Sequence, residues 1–319
     1  MADRAPPSRT RTDAGMTEQN FFIFGAGYSG KAFAQMRPQG VSVAGTTRSQ
    51  DKFPALEGAG LKPFVFDGHL TPEIRAQLAR TTHLVVSAAP GDDGDPVLNA
   101  AREAIMHGMP LLRWIGYLST VGVYGDHSGA WIDETATCRP KPGRSSMRLD
   151  AEQAWHELGE QIARPVAILR LSGIYGPGRN AFVNLENGTA KRLVKKDQVF
   201  NRIHVQDIAG ALWFLAEGDY GGVFNVTDDE PAPPQDVVAY AAEKMGVTPP
   251  PEIPFETAQL SPMARSFYGE NKRVANTAIK ALGYTFGMPN YREALDSMWA
   301  DGSWRGEGES DKRSPIRQG

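Results

Sequence analysis

The sequence predicts an α/β fold, a doubly wound parallel sheet with a smaller C-terminal lobe, and three observations carry that prediction. Short β-rich runs alternate with amphipathic helical stretches from residue 21 to about residue 171, the pattern of a parallel sheet covered on both faces. A glycine-rich turn separates the first strand from the first helix. Beyond Gly176-Pro177-Gly178 the alternation gives way to a less regular pattern with Pro-rich stretches at Pro231-Ala232-Pro233-Pro234 and Pro249-Pro250-Pro251.

In chain order the strands are expected at 21–24, 41–45, 63–66, 83–88, 111–118 and 165–171, with helices near 28–37, 50–57, 72–80, 96–107 and 145–159. In the last helix Met147, Ala151, Ala154, Trp155 and Leu158 recur at helical spacing and give one buried stripe. A further strand and helix at 198–205 and 207–217, followed by Val223-Phe224-Asn225-Val226, are expected to return to the same sheet. The resulting organisation is a disordered leader over 1–20 and a dinucleotide-binding domain over 21–178, rejoined by 198–227. A substrate lobe follows over 179–197 and 228–300, and a polar, Gly- and charge-rich disordered tail over 301–319.

Composition narrows the class of partner. The 34 basic and 37 acidic residues leave a net charge of −3, which gives no electrostatic case for nucleic acid or for an anionic membrane surface. Apolar runs such as Phe21 to Phe24 and Leu84 to Val86 are strand-length, far below the roughly 20 residues of a membrane span. The leader has no apolar segment of the kind a secretory signal needs. The single cysteine, Cys138, allows no intrachain disulfide and fits a reducing, cytoplasmic compartment. A small-molecule substrate is expected, and a homo-oligomer is left open.

Gly25-Ala26-Gly27-Tyr28-Ser29-Gly30 matches G-x-G-x-x-G, whose glycines give the tight turn, the approach of backbone to a pyrophosphate, and the packing of helix on strand. With 34 glycines in the chain the motif alone is weak. Its context is specific: it follows the apolar strand Phe21-Phe22-Ile23-Phe24 and opens a helix, which is the Rossmann-type placement of a phosphate on a helix N-terminus. About twenty residues on, where an NAD protein offers an acid to the ribose 2′-hydroxyl, the chain reads Gly45-Thr46-Thr47-Arg48-Ser49 with no acid before Asp51. Thr47 and Arg48 suit a 2′-phosphate, so NADP is expected over NAD. Asp67, beyond the third strand, is a candidate partner for the adenine amine.

Taken with Leu118-Ser119-Thr120-Val121-Gly122-Val123-Tyr124-Gly125, Ile174-Tyr175-Gly176-Pro177-Gly178 and Ile203-His204-Val205-Gln206-Asp207-Ile208-Ala209, these residues resemble the extended short-chain dehydrogenase/reductase superfamily, its NAD-dependent epimerase/dehydratase group. The resemblance spans roughly residues 21 to 300. It implies a cleft between the sheet and the C-terminal lobe, and a Ser or Thr after the fifth strand that binds the reacting oxygen. Thr120 matches that role, with Ser119 beside it. It also implies a catalytic Tyr with a Lys four residues on. Alignment through Glu152 instead places Arg144 and Arg148 there, as in the atypical branch of the superfamily. Arg cannot do general acid/base work, but it can clamp an anion or polarise a carbonyl. Phe24 stands where most extended members have a further glycine.

The residues by themselves leave plainer readings open. Thr120 can be a strand-end hydroxyl capping local backbone. Arg144 and Arg148 can lie on a solvated helix face, with Arg148 paired to Glu152 at i, i+4. In nucleotide-sugar members an Arg precedes the Ile-His-Val segment; here Phe200 holds that place, and Arg202, two residues on, is the candidate substrate-binding cation on the same strand face. Tyr175 and Tyr124 are candidate proton donors, and His204 and Asp207 are expected to order the turn into the following helix. Two functions follow: an NADP-dependent epimerase, dehydratase or reductase acting on a small polar, phosphorylated or nucleotide-linked substrate, or a non-catalytic NADP-binding regulatory or assembly protein.

Overall fold

The computed structural model describes residues 18–306. Its centre is a seven-stranded, all-parallel sheet built from β1 (Asn20–Phe24), β2 (Ser42–Thr47), β3 (Lys62–Val65), β4 (His83–Val86), β5 (Trp114–Thr120), β7 (Val166–Leu171) and β11 (Gly222–Val226), in the order β11-β7-β5-β4-β1-β2-β3. The short strand β6 (Trp131–Ile132) lies outside it. Strand order reverses between β1 and β4, so the crevice at the C-terminal ends of these two strands is the topological switch point where such sheets bind ligands.

Alternation along β1 shows why both faces are covered. Phe21 and Ile23 face one core, which they share with Phe33, Leu212 and Trp213, whereas Phe22 and Phe24 face another, shared with Ile74, Val97, Ile105 and Trp155. The first core is closed by α1 (Tyr28–Gln35), α2 (Phe53–Gly58) and α7 (Val205–Glu217). Phe33 and Trp213 stack at 4.1 Å, and the Trp213 indole N–H donates to the Phe33 carbonyl at 3.0 Å. The second core is closed by α3 (Pro72–Leu78), α4 (Pro96–Gly108) and α5 (Arg144–Gln161). The stripe read in α5 is present in part: Ala151, Trp155 and Leu158 are buried.

The C-terminal half adds three two-stranded parallel ladders. Here β8 (Gly173–Tyr175) pairs with β10 (Arg202–His204), β9 (Arg192–Val194) with β12 (Glu252–Pro254), and β6 with β13 (Arg273–Val274). Helices α6 (Ala181–Glu186), α8 (Pro234–Met245), α9 (Pro262–Phe267), α10 (Thr277–Ala281) and α11 (Tyr291–Ala300) pack around these ladders and against the sheet. The expected strand over 198–205 is reduced to β10 and does not enter the main sheet, because β11 occupies the edge beside β7, with Val223 opposite Ile168. Ile279 and Phe286, inside the stretch read as substrate lobe, belong to the sheet's own core.

The stretch read as a disordered tail divides. Residues 307–319 lie outside the described residues, as do 1–17 of the leader, but Ser303–Arg305 forms a 3-10 turn whose Trp304 is only 3% exposed. Trp304 packs at 5.7 Å from the Phe182 ring, and its carbonyl accepts from Gly178 N–H at 2.9 Å. A polar surrounding sequence hid one aromatic anchor. Among the described residues, no helix is long and apolar enough to cross a membrane.

Candidate cofactor and substrate site

A cavity of about 780 Å³ opens at the switch point, lined by Gly25, Gly27, Tyr28, Lys31, Thr46, Thr47, Arg48, Lys52, Asp67, Ala88 and Ala89 among others. The three motif glycines differ in what they do. Gly25 has φ +81°, and a Cβ there would lie 2.9 Å from Ala88 N, so the turn admits no side chain. Its N–H donates to the Thr46 hydroxyl at 2.9 Å, which locks the loop to the end of β2. At Gly27 the only atom within 4 Å of a built Cβ is the Gly25 carbonyl oxygen at 4.0 Å, so this position faces open space on the cavity wall. Gly30 lets α1 pack on β1, with Ala26 and Ile23 side chains 3.4 and 3.5 Å from a built Cβ. Ser29 is buried in the first turn of α1 and does not line the cavity.

Three cations, Lys31, Arg48 and Lys52, share this cavity with one acid, Asp67. Only Arg48 was legible as a ligand beforehand. Lys31 lies one helical turn beyond the glycine loop and Lys52 in the short turn before α2, so both reach the groove from positions that a spacing rule does not mark. Asp67 accepts from the backbone N–H of His69 at 3.2 Å and contacts its ring, and these hydrogen bonds hold its carboxyl below the usual range. Tyr28 leaves the loop and donates to the Pro177 carbonyl at 2.9 Å, tying the first glycine turn to the Gly-Pro-Gly turn; burial pushes its hydroxyl up to about 12. A groove with an open Gly27, an N-terminal helix end and basic residues at the end of β2 fits a dinucleotide with its pyrophosphate on α1 and its adenosine toward β2 and β3.

A second cavity, about 560 Å³, lies at the C-terminal ends of β5 and β7, lined by Thr120, Ser172, Tyr175, Phe200, Arg202, Phe267, Tyr268, Glu270 and Lys272 among others. The structure thus gathers Thr120, Tyr175 and Arg202 in one place. Thr120 Oγ1 accepts from Gly122 N–H at 3.1 Å, the capping contact, which leaves its own proton free for a ligand oxygen. The Tyr175 hydroxyl is buried without a hydrogen-bond partner, and desolvation together with Asp228 pushes its pKa strongly up. Lys272, brought in from the C-terminal half, donates to the Gly125 carbonyl at 2.7 Å and to Glu270 at 2.8 Å. Nothing in its sequence neighbourhood marks it.

Other candidates fall elsewhere. Ser119 points to the opposite face from Thr120, as strand alternation requires, and donates to buried Glu152. Glu152 also accepts from Arg170 at 2.7 Å, and the alternative pairing with Arg148 does not form. Arg148 instead donates to the carbonyls of Leu118 at 2.9 Å and Ala88 at 3.4 Å and to the Tyr117 hydroxyl at 3.1 Å. Arg144 is exposed in the first turn of α5. Neither arginine lines either cavity, which removes the two-arginine anion clamp: Arg148 is taken up by strand-end carbonyls and Arg144 is exposed. Tyr124 is buried and donates to Asn225 at 2.8 Å. His204 caps α7 through Gln206 N–H at 3.4 Å, and burial pushes it down to about 4, which keeps it neutral. Asp207 accepts from Gly287 and Met288 N–H at 2.7 and 2.9 Å, so its carboxylate anchors a distant loop and the turn itself is capped by His204.

A doubly wound sheet with a glycine loop at the switch point and a second cavity beside a strand-end threonine defines a nicotinamide dinucleotide-binding protein of the Rossmann type. The model of the NAD dependent epimerase/dehydratase family matches residues 22–227, and the chain belongs to that family. It is 28% identical over 247 residues to Protein YeeZ of Escherichia coli, covering 72% of this chain and 84% of that protein. A functionally unknown conserved protein from Silicibacter pomeroyi is 44% identical and superposes with a TM-score of 0.81 over 89% of this chain and 99% of its own. A UDP-glucuronic acid 4-epimerase from Bacillus cereus, solved in complex with NAD, is 18% identical with a TM-score of 0.69 over 88% of this chain and 98% of its own, which shows a shared fold.

Proposed function

We propose that the protein is an NADP-dependent oxidoreductase of the epimerase/dehydratase family acting on a small polar molecule held in the cavity beside Thr120. The observation that carries the NADP assignment is the basic rim of Lys31, Arg48 and Lys52 around a groove whose β2 end offers no acid to a ribose hydroxyl. A nicotinamide bound in that groove supplies or accepts hydride. The chain's own part is to hold the pyrophosphate at Gly27 and the α1 N-terminus, to hydrogen-bond the reacting oxygen from the Thr120 hydroxyl, and to seat the substrate on Arg202 and Tyr175. Arg148, fixed on strand-end carbonyls, keeps those ends in register and takes no part in proton transfer.

Affinities for NADPH and NADH, measured by titration of the full chain, test the assignment. NADPH at least tenfold tighter supports it, and equal or inverted affinities refute it. A second reading, cofactor binding without turnover, is favoured by one observation: α5 offers no group able to exchange a proton where the resembled family keeps its Tyr and Lys. NADPH oxidation across a panel of small carbonyl compounds separates the two, since a strict binder oxidises NADPH with none of them.

A further inference from the structure

The cavity beside Thr120 has a chemical character that the preceding reading leaves unused. Its wall is aromatic: Tyr175, Phe200, Phe267 and Tyr268 line it, with Phe200 and Tyr268 in edge-to-face contact at 5.1 Å and Phe267 63% exposed. Set into that wall is Arg202. Its Nη1 donates to the carbonyls of Phe200 and Ala232 at 2.9 and 3.0 Å, while Nε and Nη2 have no partner among the described residues. Two donors on one planar edge are therefore left for a ligand, the geometry a carboxylate matches in bidentate fashion.

The polar groups around it do not cancel that charge. Lys272 and Glu270 neutralise each other in a 2.8 Å ion pair. Asp228 lies outside the cavity lining with Oδ2 buried and unpartnered, and burial pushes its carboxyl up, toward the neutral form. Ser172, which also lines the cavity, keeps a buried Oγ without a partner, and Thr120 keeps its proton. One unspent cation serves a single carboxylate. A diphosphate needs several cations, and Phe200 presents a ring where such a group needs a donor.

We propose that this cavity binds a flat aromatic carboxylic acid, its carboxylate on the free edge of the Arg202 guanidinium and its ring against Phe200, Phe267 and Tyr268. This rests on the oxidoreductase reading above and names its substrate class. The acid's far end then lies toward Thr120, which is left to bind the group that reacts. Volume permits this, since about 560 Å³ falls in the range of small-molecule sites.

The test is calorimetric titration of the full chain, with and without NADPH, using trans-cinnamate, its uncharged isostere trans-cinnamamide, and UDP-glucose. Cinnamate is expected to bind at least tenfold tighter than the amide, with UDP-glucose weaker than either. Arg202→Gln is expected to bring acid and amide to equal affinity while NADPH binding is retained, and Phe200→Ser to weaken both. If Arg202→Gln does not fold, the comparison of acid with amide on the wild type still decides. NADPH bound normally with acid and amide bound alike, with neither bound, or with UDP-glucose bound tightest, overturns the inference alone. Failure of NADPH itself to bind overturns instead the oxidoreductase reading on which it rests.

Discussion

Arg148 Nη1 donates to the Leu118 carbonyl at 2.9 Å, and its guanidinium lies 5.5 Å from the Tyr117 ring centre. A permanent cation thus joins the C-terminal ends of β4, through Ala88, and β5, through Leu118, at the place where the resembled family keeps a proton-relaying Lys. Hydrogen bonds from a charged donor contribute about 1.5–3 kcal/mol each, and their loss strands carbonyl acceptors. Arg148→Met is expected to lower unfolding stability by roughly 2–3 kcal/mol while changing NADPH affinity less than threefold. Urea unfolding and calorimetry measure the two; a stable variant that has lost NADPH would return Arg148 to the site.

Glu152, Ser119 and Arg170 form a buried network, with Arg170 also 4.7 Å over the Tyr124 ring. Removing one partner of a buried pair leaves the other charge uncompensated, at about 3–5 kcal/mol. Glu152→Ala is therefore expected to destabilise by that amount, and the double variant Glu152→Leu with Arg170→Met by less than Glu152→Ala alone. Chemical denaturation of the wild type and the two variants decides, and a double variant that loses as much as Glu152→Ala or more contradicts the network.

These two arginines show what a linear reading resolves. The glycine loop is legible because its chemistry is local: Gly25 and Gly30 serve contacts within one strand-turn-helix unit or the neighbouring strand end, and Gly27 leaves open space beside them. Sheet strands are legible for the same reason, since alternation and turns repeat along the chain. Partner choice is not local. Spacing on α5 allows Arg148 to reach Glu152, but Arg170 on β7 takes the carboxylate, and only the packed fold ranks the two. Lys272 and Trp304 enter from the C-terminal half as single side chains in polar surroundings, where no periodicity announces them.

Arg48 lies exposed on the rim of the larger cavity, where a 2′-phosphate would meet it. Arg48→Ala is expected to weaken NADPH by about tenfold or more, the value of a charge-assisted phosphate contact, and to leave NADH unchanged. Equal loss of both cofactors would make Arg48 structural.

Asp228 links stability to pH. Its pKa stands near 3.8 when unfolded and about 8 when folded, so the folded state holds a proton that the unfolded state releases. That contribution is complete below the unfolded value and is lost as pH rises through about 8. Asp228→Asn cannot ionise, and relative to it the wild type is expected to lose about 4 kcal/mol between pH 5 and pH 8. Parallel stability curves for the two proteins across that window would refute the shift.

The pyrophosphate of a nicotinamide dinucleotide is proposed to lie against Gly27, and titration of NADPH into folded Gly27→Val tests that placement most directly. Space around Gly27 is open in the free protein, so the added side chain leaves the fold and its melting temperature nearly unchanged while filling the volume the pyrophosphate needs. The expected result is a folded variant with NADPH binding lost by a hundredfold or more, on the order of 3 kcal/mol. A folded Gly27→Val that binds NADPH as the wild type does would contradict the account.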